Sequence, residues 1–482
     1  MNITKYDLLF GGGYSIKDYY MESGNPRQMR GASELLNDCA ADVENMLVAG
    51  NVEKEHIIKS GATLSAIVPR DKSSEFAKKA EGKFLKKCRT ASAAFVTVPY
   101  EEGEYPSVKR CAEAKYENRK ATKFSSWDFQ DAEEDSKDKT VNYMRLNNEK
   151  EIAEKAPTRC PRCRIRTPRY FVEHNNGEEQ YLCTSCAQRE EQSSTIKYTM
   201  REACCNESGN IWNKSVDTYT TISDLKDKDN RIALLYADIN NLGGQADKKT
   251  FKEDKEFHET VDETVINAIY LAIKKAMEVG YRRKDETICK KFEIIALAGD
   301  DICLLLPGDV VLLADKTIVD IFEMNKLGLT ITVAACVAND TTAISYMERI
   351  VELAQNEAKD YAHINGQSTV TLSFFDRPSG LFPLTADELN EFTDLLKKIS
   401  PESGTSLRNI SKARREMKID EEFNLYFDYC LSRDVKKESE KVLRSMKEYI
   451  QGKYQSKKPW PVWYAWSDFV IWRRQKLGGD QT

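Results

Sequence analysis

Residues 294–306 read IIALAGDDICLLL: two aliphatic runs meet around Ala298, Gly299, Asp300 and Asp301. The pattern predicts a hairpin whose turn carries two adjacent carboxylates. A second run, LLYADINNLGG at 234–244, ends an equally apolar strand on Asp238. If the strands are neighbours, a third carboxylate converges on the hairpin tip. Three carboxylates on adjacent strand ends can hold two Mg²⁺ or Mn²⁺ ions. Roughly 3.5 to 4 Å apart, two such ions activate an attacking 3′-hydroxyl and stabilise the phosphates of an in-line displacement. That is nucleotidyltransferase chemistry. Gly299 lets the chain turn sharply beside a triphosphate.

The elements that must position these residues occur twice. IKSGATLSAIVP at 58–69 repeats the strand, glycine turn, strand and proline of the hairpin, with Gly61 matching Gly299 and Pro69 matching Pro307. At the same offset ASAAFVTV, beginning near Ala91, falls on LTITVAAC, beginning near Leu329, which predicts intervening helices of equal length. The first copy has Ala62 and Thr63 where the second has Asp300 and Asp301, and neither side chain can hold a divalent cation. Only the second copy is expected to be catalytic. Ser60 and Gly61 are compatible with a second nucleotide presenting its 3′-hydroxyl across a pseudo-twofold interface, or with a decayed lobe that merely packs.

The predicted fold class is α+β: two ferredoxin-like palm lobes, a small zinc-knuckle domain between them and an all-α C-terminal domain, with boundaries at 1–105, 106–228, 229–378 and 379–482. In the second lobe a long helix carries Val261, Val265, Ile269, Ala272 and Ala276 at helical spacing, and a helix near 309–325 follows the hairpin. Then come a strand at 329–338, a helix with Ile344, Met347, Val351, Ala354 and Ala358, and the closing strand STVTLSFF at 368–375. This is a βαββαβ palm with one extra helix and strand. The first lobe opens on a strand ending in Gly11-Gly12-Gly13, with a helix through Leu35, Leu36 and Met46. Residues 101–158, which include DAEEDSKDKT at 131–140, read as a linker with one exposed helix.

Beyond Phe375, Thr385 and Glu388 form a capping box for a helix with Leu389, Phe392, Leu395, Leu396 and Ile399 on one face. Near the end, Trp460, Trp463, Trp466 and Trp472 fall largely on one helical side, which reads as a docked helix in preference to a base-stacking platform.

Cys160-Pro-Arg-Cys163 and Cys183-Thr-Ser-Cys186 have the spacing of a structural Zn²⁺ site made of two knuckles. Four cysteines complete the shell, so His174 between them is expected to be no ligand. Arg162, Arg164, Arg166 and Arg169 surround the first knuckle. They could touch phosphates, although solvated arginines are the commoner case on such a module.

Lys plus Arg is 72 against Asp plus Glu 77, a net charge of −5, so any nucleic-acid contact must be local. The chain begins without a signal-peptide pattern, and no apolar run approaches the roughly 20 residues needed to cross a bilayer. Nine of the thirteen cysteines lie outside the knuckles, in keeping with a reducing compartment. A cytoplasmic protein without membrane contact is expected.

The linear order of glycine-turn lobe, four-cysteine module, lobe with Asp238 and Gly-Asp-Asp, and helical end resembles the large polymerase-like subunit of type III CRISPR effector complexes. The resemblance covers nearly the whole chain: RQMRGASELL at 27–36 looks like that family's first-lobe helix and ADINNLGG at 237–244 like its second-lobe metal strand. It implies conversion of ATP into cyclic or linear oligoadenylates in a complex holding guide RNA, target RNA and other subunits. Asp238 and Asp300, with the main chain at Ile239, would carry the Mg²⁺ or Mn²⁺ ions, and Asp301 would assist. Asn241, Gly243, Gly299 and Lys359 would contact nucleotide, with Ser60 and Gly61 on the first lobe.

Two departures stand out. Ala298 replaces the first glycine of the family's Gly-Gly-Asp-Asp, adding a methyl where phosphate or backbone should pass. No adjacent His-Asp pair occurs among the four histidines, so the metal-dependent nuclease domain that opens many family members is not expected. His56, His258 and His363 read as ordinary surface or packing residues. Two further readings remain: a catalytically silent scaffold of the same complex, and a free-standing GGDEF-like signalling cyclase, which the duplicated lobe and zinc module oppose.

Overall fold

The glycine-rich run near the start of the chain becomes the middle of a sheet, where its small residues let neighbouring strands approach. The computed structural model describes residues 5–122, 140–145, 151–155, 158–173, 179–193, 222–246, 248–281, 291–299, 301–325, 327–375, 383–397, 420–434, 440–441 and 444. Two compact units form, one from Met1–Gly209, Asn241–Val265 and Ile294–Ile302, the other from Asn210–Asn240, Ile266–Glu293 and Cys303–Thr482.

In the first unit, β1 (Tyr6–Tyr14) lies between β3 (Thr63–Pro69) and β4 (Ser92–Tyr100), antiparallel to both, and β2 (Ile57–Ser60) completes the order β2-β3-β1-β4. The short helix α1 (Ile16–Met21) precedes α2 (Pro26–Ala49). Asn25 starts α2: its Oδ1 accepts from the Arg27 and Gln28 amides at 3.1 and 3.4 Å, with Pro26 at the first helical position. Helix α3 (Arg70–Cys88) buries Phe76, Ala80 and Phe84.

Helix α4 (Tyr105–Thr122) corrects the expectation of an exposed linker helix. Tyr105, Val108, Ala112 and Tyr116 join Leu8, Val96 and Val98 in one buried cluster, and the Phe10 and Tyr116 rings meet edge-on at 5.5 Å. Large side chains buried in this way each contribute about 1.5–3 kcal/mol, enough to hold a charged helix on the sheet. The rest of the supposed linker includes β5 (Thr140–Arg145) and β6 (Glu151–Lys155), which pair with β7 (Tyr170–Glu173) and β8 (Glu179–Leu182) in the order β6-β5-β7-β8. Helix α5, described over 184–193, follows β8. Much of the charge run at 131–140 lies outside the described residues.

The second unit is built around β9 (Arg231–Ile239), whose Ile232–Ala237 stretch is buried throughout. Following β9 along the chain are α6 (Leu242–Ala246), α7 (Phe251–Tyr281), β10 (Glu293–Ala298), β11 (Asp301–Pro307), α8 (Val311–Glu323), β12 (Ile331–Asn339), α9 (Ile344–Asn365), β13 (Thr369–Phe374) and β14 (Pro383–Thr385); of these, α6, α7 as far as Val265 and β10 from Ile294 are assigned to the first unit. The six-stranded sheet has the order β10-β11-β9-β12-β13-β14. Its first four strands repeat the order of the first sheet. The register agrees as well: Gly12 faces Ala94 and Asp238 faces Thr332, and 332 minus 94 equals 299 minus 61, an offset of 238 residues. The extra helix and strand are α9 and β13, which runs parallel to β12, and β14 adds a further short strand.

A second expectation fails. The helices after the two hairpins are not equal: α3 has 19 residues and α8 has 13. Helix α3 starts directly after Pro69. After Pro307, residues Gly308 to Val310 form a turn, and the Gly308 amide donates to the Arg231 carbonyl at 3.1 Å. That bond ties the end of β11 to the start of β9, so the two strands are antiparallel.

The capping box is present at α10 (Ala386–Lys397): the Thr385 amide donates to Glu388 Oε2 at 3.0 Å and the Glu388 amide to Thr385 Oγ1 at 3.3 Å. Leu389 is buried beneath it. Helix α11 (Asp420–Asp434) buries Phe423, Phe427 and Leu431. Ile399 and the four tryptophans from Trp460 to Trp472 lie outside the described residues. Among the described residues no helix is long and apolar enough to cross a membrane.

Candidate functional site

Asp238 is the penultimate residue of β9, half-buried, with its Oδ2 2.7 Å from Lys359 Nζ on α9. The end of β9 is fixed from β12. The Asn240 amide donates to the Thr330 carbonyl at 2.8 Å, its Nδ2 donates to Thr330 Oγ1 at 3.0 Å, and Thr332 Oγ1 donates to Asn240 Oδ1 at 2.7 Å. Ile239 is buried and pairs with Ile331. This clamp was not foreseen; Asn240 sits inside the ADINNLGG motif, and only the cross-strand threonines give it a task.

Asn241 follows in the left-handed region, φ 53°, and it and Gly243 are exposed. Gly299 is the turn residue between β10 and β11, and Gly61 the turn residue between β2 and β3. Both are left-handed, at φ 64° and 53°, where glycine alone avoids strain. A Cβ on Gly299 would lie 3.1 Å from Ser60 Oγ and 3.6 Å from the Gly61 amide nitrogen, so the two glycine turns touch. Asp301 opens β11; Asp300 lies outside the described residues.

In the first sheet Gly12 occupies the position of Asp238, since it pairs with Ala94 and Thr63. A Cβ there would fall 2.2 Å from the Ala62 carbonyl oxygen. That lobe therefore lacks all three carboxylates, at Gly12, Ala62 and Thr63.

The four knuckle cysteines converge, all buried, with every Sγ within 4.8 Å of the others. Cys163 and Cys183 Sγ are 3.8 Å apart. Four thiolates about 2.3 Å from a tetrahedral Zn²⁺ stand roughly 3.8 Å from one another, so the cluster fits that ion. The first knuckle is closed by the Cys160 amide donating to the Arg166 carbonyl at 2.7 Å, and the second sits on the start of α5. Of the arginines, Arg166 ion-pairs with Glu22, which follows α1. His174 lies outside the described residues. His258 is half-buried beside the buried Asp254, which also accepts from Tyr105 Oη at 2.6 Å and Lys109 Nζ at 2.9 Å, a packing role.

No family model matches the chain, and no curated protein matches it. Solved structures do. Csm1 in T.onnurineus superposes with a TM-score of 0.62 at 13% identity, covering 98% of this chain and 70% of that one. The chain has the fold of Csm1. An apo Csm1–Csm4 cassette matches at TM-score 0.60 and 15% identity, and a Csm1–Csm4 cassette in complex with one ATP at 0.62 and 15%, each covering 98% of this chain and 70% of the other. Further Csm1–Csm4 cassettes hold cA4, pppApApA or AMPPNP.

Proposed function

We propose that this chain is the large subunit of a type III CRISPR effector complex and synthesises oligoadenylate second messengers from ATP. The observation that carries the reading is the Csm1 fold over 98% of the chain, in structures whose Csm1–Csm4 cassettes hold ATP, pppApApA and cA4. Asp238, Asp300 and Asp301 are the proposed catalytic carboxylates, with the Ile239 main chain beside them. Mg²⁺ or Mn²⁺ bound there would supply Lewis-acid activation of a 3′-hydroxyl and charge neutralisation on the phosphates. Lys359 offers a cation to a triphosphate, and the Asn240 clamp holds the strand end that carries Asp238. Gly299, Asn241 and Gly243 leave room for nucleotide, and Ser60 and Gly61 receive a second one. The cysteine cluster holds structural Zn²⁺. The proposed lobes are 1–105 and 229–378, with the module and helical end at 106–228 and 379–482. Partners are a Csm4-like subunit, guide RNA and target RNA.

The test is incubation of the full chain with Mg²⁺ or Mn²⁺ and each ribonucleotide, alone and assembled with guide and target RNA, with mass analysis of products. Oligoadenylate that disappears in Asp300→Asn is the expected result. No product from the assembled complex would leave the scaffold reading in its place.

A further inference from the structure

The cysteine module is attached to the first lobe by buried charge. Glu22 binds two guanidiniums at once: Arg166, from the loop that closes the first knuckle, and Arg189 of α5, whose Nη2 lies 2.5 Å from Glu22 Oε2. Arg189 is fully buried, donates to Thr90 Oγ1 at 3.0 Å, and stacks its guanidinium 4.4 Å from the Tyr19 ring centroid. Around it the packing leaves no slack. Gln28 Nε2 donates to the Cys186 carbonyl at 3.0 Å and to Glu190 Oε2 at 2.5 Å, and a Cβ on Gly31 would fall 1.9 Å from the Arg189 carbonyl oxygen. Arg30 Nη2 donates to the Ser193 carbonyl at 3.0 Å.

The charge count does not close within this network. Among the described residues Glu22 is the one carboxylate paired with either Arg166 or Arg189, so one half-buried and one fully buried cation share one anion. An uncompensated buried charge is strongly destabilising. Four thiolates around one Zn²⁺ carry a net charge of about −2. With the ion bound they would supply the missing negative charge to Arg166, which feels Cys163 and Cys183, and to Arg189, which feels Cys186 three residues before it.

We infer that Arg166 and Arg189 are the outer cations of the metal site, and that Glu22 presents them to it from the first lobe. Resting on the zinc assignment of the cluster, the inference gives the arginines and the carboxylate opposite signatures. Removing an arginine removes compensation from the metal–thiolate centre and weakens zinc binding. Neutralising Glu22 strands both cations in the metal-free protein but leaves them a partner in the loaded one. A merely structural network would instead lose zinc alike in all variants.

The experiment takes the full chain as wild type, Arg189→Met, Arg166→Met and Glu22→Gln, and measures zinc affinity by competition with a chromophoric chelator and thermal unfolding with and without zinc. Loss of an outer partner typically weakens a metal site about 10- to 100-fold, the loss expected for Arg189→Met and, at the half-buried Arg166, at the lower end of that range. Glu22→Gln should hold zinc at least as tightly as wild type while its stripped form melts earlier than the stripped wild type. Wild-type affinity in both arginine variants, or an equal loss in Glu22→Gln, overturns the inference. If Arg189→Met does not fold, Arg166→Met alone decides it. A wild-type chain that binds no zinc overturns the site itself.

Discussion

Lys359 Nζ lies 2.7 Å from Asp238 Oδ2, so the strand-end carboxylate proposed to bind metal already has a cationic partner. The lysine is about 40% exposed and the aspartate about 20%, so the pair stays open to solvent and exchangeable. A metal ion bound at Asp238, as proposed, would free Lys359 for an anionic phosphate. Lys359→Met should raise the KM for ATP about tenfold and lower the Mg²⁺ concentration needed for half-maximal product, because the competing cation is gone. Steady-state titration of both components checks this. Unchanged dependence on both would remove Lys359 from the site.

Asp238→Asn tests the other half of the pair. It preserves the strand and the Asn240 clamp but removes a carboxylate, so product should vanish while the melting temperature stays within a few degrees of wild type. Activity retained in this variant contradicts the catalytic assignment.

The cluster of four cysteines predicts one zinc per chain. Closed four-thiolate sites contribute folding free energy outright. Cys183→Ser should therefore lose zinc by elemental analysis and lower the melting temperature, and a strong chelator should do the same to the wild type. Loss of chemistry with an unchanged melting temperature would contradict the structural role.

What the sequence revealed and what it hid follow the range of the interactions. The hairpin at Gly299 and the capping box at Thr385 rest on residues within a few positions of one another, where periodicity and turn chemistry speak directly, and the duplicated lobe shows as that local hairpin pattern recurring at a fixed offset. The unequal helices came from a local detail, the Gly308 turn held by Arg231, which a matched offset cannot reveal. Helix α4 read as linker because its buried face offers only Tyr105, Val108, Ala112 and Tyr116 within a stretch dominated by charge. Pairing of Gly12 with Thr63 and Ala94, which shows the first lobe to lack the Asp238 equivalent, needed the strand register. Glu22 and Arg189 are 167 residues apart, and nothing in either segment marks the other.

That register predicts a failed rescue. Ala62→Asp in the first lobe should not restore product to the Asp300→Asn chain. The position paired with Thr63 is Gly12, where a Cβ would meet the Ala62 carbonyl at 2.2 Å, so no side chain can complete a carboxylate set. Product recovered in the double variant would show that the first lobe can hold metal without it.

Asp262 on α7 supplies a pH test independent of catalysis. Burial raises its carboxyl from the ordinary 3.8 to about 6, with Lys59 opposing the rise. The folded state then binds a proton more tightly than the unfolded chain, so this residue favours folding at low pH. Its contribution is fully present below about pH 4 and is lost as the pH rises through 6. At pH 8 the half-buried carboxylate is charged and Lys59 compensates it only in part. Asp262→Asn should therefore raise the melting temperature relative to wild type at pH 8, with the difference shrinking as the pH falls toward 4. Melting curves of both proteins across that range give the sign. A variant that gains nothing at pH 8, or gains equally at pH 4, would show that the carboxyl titrates normally in the folded chain.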